Sequence, residues 1–384
     1  MIERNPAIRP VGDPAFVRAA IRESIRDALG LRHAVRPLAD HLAAAMAWLA
    51  LAQDKAGNGG LSAGFGRLGW KPDYPETTGY TIPTFLDFHR LSGEAAYLER
   101  AKRMGRYELA VQTRDGAIPG GFSEPRSPCV FDTGQVIFGW IALFQATGQA
   151  EYLTAARAAG DWLISVQAGD GSWPTHDHAE SARTYHSRVA WALVALGDTG
   201  RDQRYIDAAR RQLDWTLTNR QPNGWFRNCE LRHEAHPVTH TLAYTVRGLL
   251  ESGAALGEER YISAARGTAD VLLTLQLPDG SVRGAFDARW AATARWRCLT
   301  GCAQLSIIWL RLYELTGDQR YLEAARRSNT FLRQTQDLGA RDETRGAIKG
   351  SWPFHGRYER FSYPNWAAKF FADALMLEQK LAHG

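Results

Sequence analysis

A motif that recurs at nearly constant spacing is the feature that most constrains how this chain can fold. Tyr-Leu or Tyr-Ile, with an alanine four positions after the tyrosine and then a basic residue, occurs at five places: Tyr97, Tyr152, Tyr205, Tyr261 and Tyr321. Successive copies are 55, 53, 56 and 60 residues apart, which suits two helices and two loops. A glutamine and then Asp-Gly or Asn-Gly follow most copies, as a turn signal. The repeat therefore predicts a series of αα hairpins.

Each predicted hairpin combines two kinds of helix. The first is amphipathic, with apolar residues at helical spacing, as from Tyr152 to Val166. The second is apolar or small on nearly all sides, as in 134–144 and 301–312, and such helices are buried all round. Six outer helices are predicted near 36–54, 94–112, 150–167, 203–221, 259–276 and 319–336. Six inner helices are predicted to begin near Thr78, Thr133, Tyr185, Thr239, Thr300 and Asn365.

Alternation of outer and inner helices over the whole chain favours a closed ring, because closure lets the last hairpin cover the first. The predicted fold class is all-α, an (α/α)6 toroid of six helical hairpins. The toroid is predicted to be one domain over residues 36–384, and residues 1–35 a helical extension or cap. The chain has 384 residues, a length that a single toroid uses without a boundary.

Composition narrows the class of partner. Lysine and arginine together number 46 against 41 acidic residues, and the arginines form no basic run, so no nucleic acid is expected. The 13 Trp, 13 Tyr and 15 Phe exceed what a core needs, which favours a surface that binds sugar rings. The N-terminus lacks a signal-peptide pattern and no stretch is long enough to span a membrane, so a cytoplasmic protein with no membrane span is expected.

Cofactor motifs are not found in the sequence. The four cysteines form no CxxC pair and are expected to be buried, reduced thiols. His233, His236 and His240, and the run THDH from Thr175 to His178, do not match a zinc motif. No phosphate-binding glycine loop follows a strand, so neither a metal nor a nucleotide cofactor is expected.

Polar residues at the starts of the inner helices are the candidate site, because the loops into those helices gather at one mouth. The candidates are Glu76, Tyr80, Asp132, Gln135, Tyr185, Arg188, Asn228, His240, Tyr244, Arg247, Gln304, Lys349, Tyr363, Asn365, Trp366 and Lys369. Trp290, in a loop, is a candidate platform for a sugar face. An alternative makes Asp132, Thr300 and Asn365 simple N-caps.

Two catalytic arrangements fit these residues. Glu76 and Asp132 open adjacent inner helices, as a carboxylate pair acting on a glycosidic bond would. Tyr244 follows His240 by one helical turn, and with Asn228 or Arg247 nearby the pair could abstract a proton beside a uronate carboxylate, although both could equally be packing residues.

Several segments resemble known families. The run QAGDGSW from Gln167 to Trp173 looks like the QW repeat of triterpene cyclases, but the cyclase acid motif is met by CVFDTG, with Asp132 as its one aspartate. The QW-like run is therefore interpreted as a helix-end device that the two architectures share. Unsaturated glucuronyl hydrolases carry an Asp-Thr at an inner helix start, which Asp132-Thr133 matches, and an earlier acid, which Glu76 meets one position early.

The most extensive resemblance is to the VpsJ-like proteins of bacterial exopolysaccharide gene clusters. It rests on ETTGY, FDTGQ, TYHSR, NGWF, THTLAYTxRGLLE, CLTG and the C-terminal run from GAIKGSWP to YPNWAAKFFADAL. The resemblance implies a saccharide partner, expected to be anionic.

The leading hypothesis is a glycoside-hydrolase-like enzyme that cleaves an acidic, uronate-containing saccharide. In it Asp132 is the acid/base group, Glu76 is its partner, and Arg188, Arg247 and Lys369 hold carboxylates. The alternatives are a polysaccharide lyase or uronate C5-epimerase using Tyr244 and His240, a non-catalytic saccharide-binding protein, and a terpene cyclase.

Overall fold

The computed structural model describes residues 12–123, 126–178, 180–231 and 236–383. In these ranges the helices are, in chain order, α1 (Pro14–Ala28), α2 (Leu38–Ala56), α3 (Pro75–Ser92), α4 (Ala95–Val111), α5 (Val130–Thr147), α6 (Ala150–Ser165), α7 (Ser187–Gly200), α8 (Gln203–Thr218), α9 (Thr239–Leu256), α10 (Glu259–Thr274), α11 (Leu299–Thr316), α12 (Gln319–Arg333) and α13 (Asn365–His383). The short strands are β1 (Gly64–Gly66), β2 (Gly69–Trp70), β3 (Arg297–Cys298), β4 (Ser351–Trp352) and β5 (Ser362–Pro364).

The inner helices form a closed ring. From α3 to α13, every second helix contacts the next, and α13 contacts α3. Each outer helix packs against the inner helix before it, and α2, which has none before it, packs against α13. The predicted (α/α)6 toroid is confirmed, with the first outer helix completing the last hairpin.

A small sheet reinforces this closure. Strand β1 pairs with both β2 and β5, in antiparallel register, so that Phe65 lies opposite Tyr363. Because β1 precedes α3 and β5 precedes α13, the sheet joins the loops of the two helices that meet at the closure. No described helix combines the length and apolar character needed to cross a bilayer.

The repeated tyrosine links consecutive outer helices. Tyr205, Tyr261 and Tyr321 are buried, and each hydroxyl donates to an aspartate of the preceding outer helix, at 2.6 to 2.9 Å. Buried hydroxyl groups need such partners. In these three copies the motif therefore makes the same contact between neighbouring hairpins.

A glutamine at the C-terminal end of each of the outer helices α4, α6 and α10 makes the same two contacts, and Gln167 of the QW-like run is one of them. Gln112, Gln167 and Gln276 each donate to the carbonyl of the turn glycine four residues later and to an alanine carbonyl of the next outer helix. Trp173 is fully buried and donates to the carbonyl of Leu163 at 2.9 Å. The run therefore acts as a structural device at helix ends.

Glycines allow α3 and α5 to approach closely. A Cβ added at Gly79 would lie 2.6 Å from the Cα of Val136. We expect Gly79→Ala to lower the free energy of unfolding by about 1–3 kcal/mol, because α3 and α5 would have to separate. Urea denaturation measures this. Gly169→Ala is the matched control, since nothing lies within 4 Å of the added Cβ, and an equal loss in both variants would contradict the packing argument.

Helix α1 is joined to the toroid by a buried ion cluster. Lys349, which was expected at the mouth, donates instead to Glu23 and Asp27 of α1, both at 2.9 Å, and all three residues are buried. Asp27 also accepts from the backbone N–H of Phe354 at 2.7 Å. Residues 1–11 lie outside the described residues, and the division into a cap (1–35) and a toroid (36–384) stays a prediction.

Candidate active site

A small cleft of about 220 Å³ opens at the end of the ring where the inner helices begin. This mouth cleft is lined by Tyr74, Glu76, Tyr80, Phe122, Phe131, His178, Tyr185, Leu231, His240, Thr241, Tyr244, Tyr358, Glu359 and Trp366. Drug-sized ligands occupy roughly 300–1,000 Å³, so the mouth cleft is suited to a ligand of about one sugar ring. Six of the predicted site residues line it: Glu76, Tyr80, Tyr185, His240, Tyr244 and Trp366.

The N-terminal turns of two neighbouring inner helices each place a carboxyl group at the mouth. Glu76 is the second residue of α3 and Asp132 the third residue of α5. Glu76 is 7% exposed and Asp132 is fully buried. Burial, followed by the negative charge of Asp132, raises the pKa of Glu76 to about 8. Glu76 is therefore a protonated acid at neutral pH.

Asp132 reaches the mouth cleft through His178, which the sequence hypothesis did not assign to the site. Asp132 Oδ1 lies 2.8 Å from His178 Nε2, and Asp132 Oδ2 accepts from the backbone N–H of Gly121 at 2.9 Å. The charge of Asp132 raises the pKa of His178 well above its usual range, so the imidazole is charged. The side chain of His178 is 43% exposed. The group facing the cleft is thus an Asp132–His178 ion pair, with the aspartate behind the histidine.

The loop that carries His178 is anchored by the residue before it. Asp177 is buried, accepts from the Tyr185 hydroxyl at 3.2 Å and lies 3.3 Å from His186 Nε2. Burial opposes ionisation of Asp177, but the charge and hydrogen bond of His186 outweigh it, and the pKa of Asp177 is lowered. The sequence signal for this loop is the run THDH from Thr175 to His178. Its spacing fits no metal motif, but it supplies both Asp177, which anchors the loop, and His178, which lines the cleft.

One cluster at the mouth has donor atoms of the kind that bind metals. Cys129 Sγ, an Asp132 oxygen and a His178 nitrogen lie within 4.8 Å of one another. The His178 nitrogen near the thiol is also the one bonded to Asp132, and burial raises the pKa of Cys129 to about 12. Asp132 and His178 are already paired with each other beside the Cys129 thiol, so the geometry does not require a metal. All four cysteines are free and buried, as predicted.

His240 and Tyr244 form a second chemical pair in the cleft. His240 Nδ1 lies 2.8 Å from Gln304 Oε1, and burial lowers the pKa of His240 to about 3, so its ring is neutral. The two rings are 4.3 Å apart. Burial and the charge of Glu76 raise the pKa of Tyr244, which keeps its hydroxyl protonated.

Aromatic side chains form the remaining wall. Trp366 donates its indole N–H to the Tyr358 hydroxyl at 2.9 Å. Tyr74 packs edge-on against both Trp366 and Phe122. Such rings offer faces for a sugar, and Trp366, predicted as a binding residue at an inner helix start, lines the cleft, whereas the predicted platform Trp290 does not.

Several predicted binding residues instead hold loops together. Asn365 donates to the carbonyl of Ser62 and to the Thr77 hydroxyl, both at 2.8 Å. Trp290 donates to the carbonyl of Asn223 at 3.0 Å.

Tyr363 and Asn228 have similar structural contacts. The ring of Tyr363 packs at a tilt against that of Phe354, with centroids 4.9 Å apart, and Asn228 donates to Asn219 at 3.0 Å. Their types match a polar, aromatic site, but the residues lie outside the mouth cleft because their partners are neighbouring loops. The N-cap alternative also fails for two of its residues, since the N-caps of α5 and α11 are Cys129 and Cys298, not Asp132 and Thr300.

The three cations expected to hold substrate carboxylates are not at the mouth. Arg188, Arg247 and Lys369 line a second cavity of about 930 Å³, formed by residues of all six inner helices. We call this cavity the lower chamber. Gln135 lies at its inner end and accepts from Arg188 Nε at 2.5 Å. Arg188 is the second residue of α7 and Lys369 the fifth of α13, so position along the helix does not by itself separate them from a mouth residue such as Tyr244, the sixth residue of α9.

One acid near the mouth was not predicted. Glu108, on the outer helix α4, is fully buried, and its carboxyl oxygens have no hydrogen-bond partner in the part of the chain that the structure describes. Burial and the charge of Asp132 raise its pKa. An isolated acid on an amphipathic outer helix has no sequence signature that separates it from a surface residue.

Comparison with known proteins places this geometry in a structural context. Residues 86–261 match the squalene-hopene cyclase C-terminal domain. No curated protein matches the chain significantly in sequence. An unsaturated glucuronyl hydrolase specific for heparin superposes with a TM-score of 0.73 at 16% identity, over 90% of this chain and 98% of that one.

Two further solved structures share the architecture. Cellobiose 2-epimerase from Bacillus thermoamylovorans has a TM-score of 0.69 at 14% identity, over 94% of this chain and 100% of that one. A polysaccharide lyase has a TM-score of 0.65 at 12% identity, over 91% and 99%. What the chain shares with these proteins at such low identity is the toroid fold.

Proposed function

We propose that the mouth cleft is the active site of a carbohydrate-active enzyme that hydrolyses a glycosidic bond, with Glu76 as the proton donor. The observation that carries the proposal is a protonated, buried Glu76 next to the Asp132–His178 ion pair in a sugar-sized aromatic cleft. Glycoside hydrolysis needs an acid that is still protonated at neutral pH and a second group that can take a proton from water.

Asp132 is the proton acceptor in this proposal. Glu76 gives its proton to the oxygen of the departing sugar, and a water molecule attacks the anomeric carbon and gives a proton to Asp132. In the structure His178 covers Oδ1 of Asp132, so water reaches that oxygen only when the imidazole turns aside. The exposed position of His178 allows such a movement.

A uronate carboxylate in the substrate would attract the His178 imidazolium away from Asp132. No Arg or Lys is among the described residues that line the mouth cleft, so the cation available there is the His178 imidazolium. A substrate carboxylate competes with Asp132 for that cation and thereby frees the aspartate. This supports an acidic saccharide, and the fold shared with an unsaturated glucuronyl hydrolase and a polysaccharide lyase supports saccharide chemistry in general.

The experiment is to incubate the full chain with uronate-containing polysaccharides and with their unsaturated oligosaccharides. The ultraviolet absorbance of the conjugated uronate double bond is then followed. A fall means hydrolysis of an unsaturated uronide and supports the proposal. A rise means elimination, which contradicts it, and binding without any product indicates a saccharide-binding protein.

A lyase or C5-epimerase is the second candidate, because His240 is neutral, is oriented by Gln304 and lies against Tyr244. A proton beside a uronate carboxylate could pass between these two side chains. In that case Tyr244→Phe abolishes turnover, whereas Glu76→Gln leaves it.

The pH dependence of turnover tests the role of Glu76. A proton donor is active only while it is protonated, so activity should fall as the pH rises through about 8, the raised pKa of Glu76. His178→Gln removes a positive charge that lowers the pKa of Glu76, so any residual activity of that variant should persist to higher pH. Profiles of kcat/KM against pH for the wild type and for His178→Gln measure both effects. A profile that stays flat well above pH 8 would contradict the assignment.

A further inference from the structure

The lower chamber combines a buried, charged inner end with an open, exposed rim. At the inner end Arg188 is only 2% exposed. At the rim the side chains of Arg90 and Lys380 are 57% and 71% exposed. The chamber therefore opens to solvent at the end of the ring opposite to the mouth cleft, and a ligand can enter it without passing through the mouth cleft.

Arg188 has no carboxylate partner among the described residues. Its Nε donates to Gln135, but its buried NH1 has no hydrogen-bond partner. Aromatic rings surround the guanidinium, with the Tyr244 centroid 4.9 Å and the Trp191 centroid 5.3 Å from Cζ. Cation–π contacts recover only part of the cost of burying a charge. Because its charge is only partly compensated and its NH1 group has no hydrogen-bond partner among the described residues, the Arg188 guanidinium is suited to bind an anion.

Other cations strengthen the positive potential near Arg188. Arg247 Cζ lies 5.2 Å from the Trp191 centroid, on the same ring that Arg188 faces, and Arg247 Nε also lacks a hydrogen bond. Lys369 is paired with Asp373, and Arg247 Nε forms an ion pair with Glu251 Oε1 at 3.5 Å. The described lining of the lower chamber holds six Arg or Lys residues and three Asp or Glu residues. The chamber is thus net cationic, in contrast to the mouth cleft.

Apolar side chains make up much of the wall between Arg188 and the rim. Phe138, Ile141, Ile307, Met376 and Leu377 all line the chamber. Contact with such a wall stabilises an apolar ligand by roughly 25 cal/mol for each Å² removed from water. The chamber of about 930 Å³ lies at the upper end of the usual range for small-molecule sites.

We propose that the lower chamber is a second binding site, which takes an amphiphilic organic anion. Its phosphate or carboxylate head binds Arg188 and Arg247, and its apolar body packs along the wall toward the rim. Tyr80 lines both cavities, but the site opens at the opposite end of the ring and does not depend on the reaction proposed for the mouth cleft.

Calorimetric titration of the full chain with a matched series of probes tests the proposal. The probes are octyl phosphate, octanoate, 1-octanol and inorganic phosphate, all below the concentrations at which they aggregate. Octyl phosphate or octanoate should bind most tightly, and which of the two is tighter identifies the head group. Octanol lacks the anion and inorganic phosphate lacks the apolar body, so each should bind at least roughly tenfold more weakly.

Variants separate the two parts of the site. Arg188→Gln and Arg247→Gln should each weaken octyl phosphate by roughly tenfold or more, and Arg247→Gln serves if Arg188→Gln does not fold. Ala142→Trp should block the chamber without removing a cation, since Ala142 lines it. Arg326→Gln, on the exposed face of α12, is the matched control. The proposal would be overturned if octanol bound as tightly as octyl phosphate, or if no probe bound. It would also be overturned if all variants bound octyl phosphate equally well.

Discussion

Replacing Glu76 by glutamine should lower kcat on a confirmed saccharide substrate by roughly 10²- to 10⁴-fold, the usual contribution of a general acid. Glutamine keeps the size and polarity of the side chain but has no proton to give to the departing oxygen. Steady-state kinetics on the purified variant measure the effect. Glu99→Gln is a control for the loss of a carboxyl group, because Glu99 is an exposed residue of α4 whose side chain is 63% exposed.

Asp132→Asn should cause a loss of similar size, for a different reason. Asparagine can neither accept a proton from water nor keep the His178 imidazole charged, since it is the charge of Asp132 that raises the pKa of His178. Thermal melting of both variants should show that the fold is retained. If both variants turn over at the wild-type rate while Tyr244→Phe is inactive, the carboxylate mechanism is wrong and the His240 and Tyr244 mechanism replaces it.

Replacing Lys349 by methionine should lower the free energy of unfolding by about 3–5 kcal/mol, the largest stability effect that we expect. Methionine fills similar space but leaves the buried carboxylates of Glu23 and Asp27 without their cation. Urea denaturation at pH 7 measures the loss. Lys71→Met is the matched control, because the ion pair of Lys71 and Glu359 is partly exposed and should contribute at most about 1 kcal/mol.

Acid should weaken the same cluster. Burial opposes ionisation of Glu23, but the hydrogen bond from His33 and the charge of Lys349 outweigh it and lower the pKa of Glu23 to about 2. A lowered pKa means that the stabilisation is present above the unfolded value, near 4.5, and is lost as the pH falls toward 2.

The comparison of the two lysine variants can contradict the role of the cluster. If Lys349→Met and Lys71→Met lower the free energy of unfolding by the same small amount, α1 can separate from the toroid without loss of stability and the cluster does not stabilise the fold.

The fold was predictable because its signals are local and repeated. The spacing of tyrosines such as Tyr205 and Tyr261 reflects one hydrogen bond made in successive hairpins. Helices that are apolar on all sides are typical of a buried inner ring. The positions of Glu76 and Asp132 at the starts of α3 and α5 followed from the same reasoning, since these positions depend on helix boundaries.

The environments of the site residues could not be predicted in this way. His178 belongs to the site because its loop folds over the start of α5, and Asp132 lies behind it as a result. Lys349 is as polar as a binding residue, but its partners Glu23 and Asp27 are more than 300 positions away in the chain. Sequence patterns do not encode such contacts, which depend on closure of the ring.

The sequence by itself determined the class of fold, the number of hairpins and the two carboxyl groups at the mouth, because helix periodicity and loop position are short-range properties. Only the tertiary structure decided that Arg188, Arg247 and Lys369 face a second chamber and that Glu76 keeps its proton at pH 7. Both outcomes depend on the direction in which a side chain leaves its helix and on the charges that distant segments bring near it. Those are long-range properties, which exist only once the six hairpins have closed.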